Sequence, residues 1–163
     1  MTASVRGSAV VGGGAADVHP VARRAHAPAA ALDLLAQARR GLEEAAVLEI
    51  PNDRFATAHL AALRTAAAVL AVRGRPEATR RRRQRIRSAW EVLPEIAPEL
   101  AEWSSLFEAG ARQRARAEAG IKGAVSAREA DDLLRATEMF LRLVERMPVL
   151  QFVPDGRQTG RPG

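Results

Sequence analysis

The sequence predicts an all-α protein, a four- to five-helix up-and-down bundle. Apolar residues make up 47% of the chain but aromatics only 4%, so alanine and leucine, both strong helix formers, supply most of the core. Val, Ile and Thr never cluster in the alternating pattern of a strand. Apolar residues instead recur at 4-3-4-3 spacing in four separate stretches, as on helix faces buried against partners. A chain of 163 residues fits one domain with tails. We place the bundle at residues 28–148, between a disordered segment over 1–27 and a C-terminal tail over 149–163.

Residues 1–27 are rich in Gly, Ala and Val and hold no sustained period. The triple glycine Gly12–Gly14 has neither the preceding strand nor the following lysine of a phosphate loop. The first helix should run from Pro28, a residue suited to a first turn, to Val47. Ala31, Leu35, Ala38, Leu42 and Ala45 form its buried seam. The short loop Glu49–Asn52 returns the chain antiparallel. Asn52 then caps a second helix over Asp53–Arg73, the longest run free of proline and glycine. It carries two neighbouring apolar lines, one of Phe55, His59, Ala62, Ala66 and Val69, the other of Ala56, Leu60, Leu63, Ala67 and Leu70. A stripe that wide, made mostly of alanine, suits the central helix of a bundle.

Gly74 and Pro76 end that helix, and an arginine-rich connector follows. Ser88 with Glu91 reads as a capping box. Trp90, Leu93, Ala97, Leu100, Ser104, Phe107 and Ala111 keep one heptad phase through Pro94 and Pro98, so we expect a kinked helix or two helices end to end. Gly120 and Gly123 close it. Ser126 with Glu129 opens the last helix, with its seam at Ala130, Leu133, Thr137, Phe140, Val144 and Met147. Pro148 stops it, and Val149, Leu150, Phe152 and Val153 can tack onto the bundle.

No cysteine is present, which excludes disulfides and thiolate metal sites. No apolar run approaches the ~18–20 residues that span a bilayer, so a cytoplasmic protein without a membrane partner is expected. Net charge is +6. Residues 73–87 hold eight arginines and one glutamate, leaving 17 basic and 18 acidic residues elsewhere. All the excess charge therefore sits in one connector. Its arginines Arg80, Arg81, Arg82, Arg83, Arg85 and Arg87 are the candidate contacts to phosphates of RNA or a nucleotide. No aromatics interleave them, so base stacking there is not expected. The alternatives are a solvated connector or one that folds on an acidic partner.

Arg54 and His59 form an R-x4-H pair. Five positions apart on a helix, they point about 140° from each other, so one helix does not pair them. Across a dimer, the guanidinium could hold a phosphate while the imidazole moves a proton at a ribose oxygen. The alternative is a packing histidine among Phe55, Leu63 and Ala66. Glu129, Asp131 and Asp132 lie in the first turn of a helix, where negative charge suits the dipole. No histidine stands near to complete a metal set. No metal and no cofactor are expected, and Trp90 and Trp103 read as core.

The order of these features resembles HEPN domains (higher eukaryotes and prokaryotes nucleotide-binding), in particular a small actinobacterial HEPN-like subfamily. ALDLLAQARRGLEEA, RFATAHLAALRTAAAVL, the basic connector, RSAWEVLPEIAPELAEW and SAREADDLLRATEMFLRLVERM carry the likeness over about Ala29–Met147. The resemblance implies a four- or five-helix bundle, a homodimer, and RNA cleavage by an R-x4–6-H motif at the dimer interface, here Arg54 and His59. In this chain Phe55 follows the arginine where the family has a polar residue, and the motif lies in the second helix. The reading is an RNA- or nucleotide-binding module, non-catalytic or weakly catalytic. A protein–protein interaction bundle and a metal-independent ribonuclease are the alternatives.

Overall fold

A computed structural model of the protein describes residues 20–74 and 87–151, with the helical backbone alone for 20–28. Five α-helices and two 3-10 turns are found among the described residues, and no strand. They are α1 (Pro20–Val47), α2 (Pro51–Arg73), α3 (Ala89–Ile96), a 3-10 turn (Pro98–Leu100), α4 (Ala101–Glu118), α5 (Ala127–Glu145) and a 3-10 turn (Pro148–Leu150).

The central helix is α2, which packs against all four others, most extensively against α1. Its first apolar line lies as expected: Phe55, His59, Ala62, Ala66 and Val69 are all buried. The second line runs along the edge of the core, with Leu63 and Leu70 half-buried against it. Leu60 is 41% exposed, while Ala58, Ala61, Thr65 and Ala68, on the opposite flank, are fully buried. Small side chains turn inward here because α1 lies so close. A Cβ added at Gly41 would sit 3.4 Å from Ala61 Cβ, a separation that larger residues on either helix would not permit. Thr65 tolerates complete burial by returning its hydroxyl to Ala61 O at 2.8 Å. With mean hydropathy 1.5 over 18 residues, α2 is long and apolar enough to cross a membrane, which corrects the expectation that no apolar run approaches that length. Half of that window is buried inside the bundle.

Helix boundaries differ from expectation in two places. Helix α1 starts at Pro20, so residues 20–27 of the segment expected to be disordered belong to a helix. The alanine-rich VARRAHA stretch has the propensity to extend it. Residues 1–19 lie outside the described residues. Helix α2 starts at Pro51, with Ile50 as its extended N-cap. Asn52, now inside the first turn, donates its side-chain amide to Ile121 O at 2.9 Å and so ties the α4–α5 loop to α2.

The seam through the two prolines is continuous. Trp90, Leu93, Ala97, Leu100, Ser104 and Phe107 are all buried, Ala111 at the end of the expected seam is only half-buried, and the chain breaks at Ala97 into two helices joined by the 3-10 turn. Ser104 donates its hydroxyl to Trp90 O across that break. Gly120 and Gly123 both have φ of 72°, the left-handed region that glycine occupies without strain. The Ser126–Glu129 capping box is complete in both directions, and all six seam residues of α5 and its extension, Ala130 to Met147, are buried. Past Pro148, Leu150 tucks in while Val149 stays exposed; Phe152 and Val153 lie outside the described residues.

Candidate functional site

Helix α2 carries both members of the R-x4-H pair and sends them to different neighbourhoods. Arg54, in its first turn, donates Nε to Leu48 O at 2.9 Å and forms an ion pair with Asp131 of α5. It therefore fastens the α1–α2 loop and the start of α5 to one helix end. Asp131 balances this cation, and Glu129 caps α5.

His59 lies a turn further on, and no part of it reaches solvent. Phe55 stacks on its ring at 6.3 Å between centroids, and Trp90 and Phe107 meet it edge-on at 5.9 and 6.2 Å. Nε2 is 2.8 Å from Phe107 O. A carbonyl only accepts, so Nε2 carries the proton and Nδ1 is the acceptor. It takes a hydrogen bond from Arg114 at 3.3 Å. Both ring nitrogens are thus engaged. Burial lowers the pKa of His59; the bond to Phe107 O opposes that shift and the Arg114 charge adds to it. The imidazole is held neutral.

Gly110 of α4 lies beside this ring, and a Cβ there would meet His59 Cδ2 and Phe55 Cζ at an ordinary contact distance of 3.5 Å. Arg114 faces Glu118 across 3.4 Å, yet its buried Nε makes no hydrogen bond among the described residues. Within one chain, then, Arg54 and His59 share no partner and no surface. What gathers around His59 is an aromatic cluster with a guanidinium plug, an arrangement that joins α2, α3 and α4. An acid–base role needs a nitrogen open to a substrate oxygen, and this ring has none.

Of the candidate phosphate contacts, Arg80 to Arg83 and Arg85 lie outside the described residues. Arg87 pairs through both terminal nitrogens with Glu95, and its Nε is 3.7 Å from Glu91. At the other end of the connector Arg73 pairs with Glu99 and holds that carboxyl below its usual range. Both ends of the basic segment are therefore tied to acidic residues around α3. No group of three or more His, Asp or Glu that could hold a metal is found among the described residues.

Sequence reasoning missed Arg114 and the Arg54–Asp131 pair. Arg114 stands seven residues after Phe107, on the same helix face, so the spacing contained a signal. The 77-residue separation of Arg54 from Asp131 contained none.

A profile of the SAV_6107-like HEPN family matches residues 45–145, which run from the end of α1 to the end of α5. The chain belongs to the HEPN superfamily. No curated protein and no solved structure matches it. In this HEPN domain the matched region contains the whole aromatic cluster, both residues of the R-x4-H pair and the basic connector.

Proposed function

We propose that this protein is a non-catalytic HEPN module that binds RNA or a nucleotide through the basic connector at residues 73–87, working as a homodimer in the cytoplasm. The supporting observation is the state of His59: buried, neutral, and hydrogen-bonded at both nitrogens. A histidine engaged at both nitrogens in joining helices is poorly placed to abstract a ribose proton, which supports binding over cleavage. The eight arginines of the connector supply the attraction to phosphates, a term that weakens by roughly one log unit of affinity per log unit of salt for each phosphate neutralised.

The test is a gel shift and cleavage assay on total cellular RNA with the purified protein. The expected result is a retarded band, no cleavage, and a salt dependence that flattens when Arg80–Arg83 are changed to serine. Metal-independent cleavage that disappears in a folded His59→Ala variant refutes the non-catalytic reading. RNA affinity unchanged in the serine variant refutes the connector as the contact.

A further inference from the structure

A second face of the bundle bears chemistry that phosphate binding does not use. Between α4 and α5 runs an open cleft of about 320 Å³, lined by Trp103, Met139, Arg142, Leu143 and Arg146. Its floor is rigid, because Trp103 stacks on Phe140 at 5.6 Å and on Phe107 at 6.3 Å. Its walls are apolar side chains held out in water: Met139 is 57% exposed and Leu143 43%. Leu106, 44% exposed and three residues after Trp103, continues the strip along α4. A patch of this kind on a folded domain marks a contact surface, and Trp, Met and Arg are the residues enriched in interface cores.

The polar part of the lining is entirely basic. Arg146 makes no side-chain ion pair or hydrogen bond among the described residues. Arg142 donates Nε to Glu138 O at 3.3 Å, and its terminal nitrogen lies 4.0 Å from the Glu138 carboxylate. Two such clefts stacked across a two-fold axis would set these arginines against their own copies, so the face does not suit a second molecule of this chain. From the size, the apolar strip and the basic rim we infer that the α4–α5 cleft takes an acidic amphipathic helix of a partner protein. Its apolar side chains would lie on Trp103, Met139 and Leu143, with carboxylates meeting Arg142 and Arg146. The inference does not depend on RNA binding.

Two synthetic helical peptides of about 18 residues test this. They share one leucine stripe and carry either glutamates or lysines along its borders. With the full chain, fluorescence anisotropy should show saturable binding of the glutamate peptide and none of the lysine peptide. Met139→Glu should weaken binding about tenfold or more. The double reversal Arg142→Glu with Arg146→Glu should transfer preference to the lysine peptide, a result that loss of folding cannot mimic. Equal binding of both peptides, binding of neither, or indifference to Met139→Glu overturns the inference. So does a dimer that Met139→Glu dissociates, which would make a second copy the occupant.

Discussion

Replacing His59 with alanine separates a packing histidine from a catalytic one, because the two roles predict opposite stability effects. The substitution removes a ring in contact with Phe55, Trp90 and Phe107 and leaves a cavity in a fully buried position. Large-to-small changes at such sites cost about 2–5 kcal/mol. It also strips Arg114 of its acceptor and Phe107 O of one donor, adding about 1 kcal/mol for each imperfectly replaced bond. Partial collapse of the site offsets some of this, so we expect a loss of about 3 kcal/mol. Against a total stability of about 5–15 kcal/mol that is a large share, and it lowers Tm by roughly 10 °C. Urea unfolding followed by tryptophan fluorescence reads it directly, since Trp90 sits 5.9 Å from the ring. A double-mutant cycle with Arg114→Met should show coupling of about 1 kcal/mol. A His59→Ala protein within about 0.5 kcal/mol of wild type would refute the structural role.

Three further outcomes follow from the same geometry. The folded pKa of His59 lies below the unfolded value near 6.5, so its stabilisation is complete above that value and is lost as pH falls toward the lowered folded pKa. Wild type should therefore lose stability below about pH 6.5 and His59→Phe should lack that component, as equilibrium unfolding at several pH values will show. Arg54→Ala should cost about 1–2 kcal/mol in chemical denaturation, because it frees Leu48 O and leaves a half-exposed Asp131 unpaired. Two glycines should respond with opposite sign in thermal melts. Gly110→Ala meets its neighbours at ordinary contact distance and should gain about 0.5–1 kcal/mol of helix propensity. Gly120→Ala, at φ of 72°, should lose about 1 kcal/mol.

The seams of α1 and α5, and the seam that runs from α3 into α4, were legible in the sequence. Each is a one-dimensional pattern that a helix converts into a face, whatever the helix packs against. The Ser126–Glu129 box was legible for the same reason, since its two bonds close within four residues. In α2 the first apolar line was readable in full and the second only in part, through Leu63 and Leu70. Alanine on either flank looks the same to a periodicity argument, and only the proximity of α1 decides that Ala58, Ala61 and Ala68 turn inward while Leu60 is left outside. Asn52 shows the limit at a boundary: cap chemistry suggested a local role, and Ile121, 69 residues away, offered a better acceptor.

By itself the sequence determined the all-α class, the helical seams, the concentration of charge in residues 73–87 and the likeness to HEPN domains. These follow from local propensity, spacing and composition. Only the tertiary structure decided where the R-x4-H pair lies and what surrounds it. Whether an imidazole meets solvent or a carbonyl depends on which helices close over it. Phe107 and Arg114, 48 and 55 residues beyond His59, close over this one.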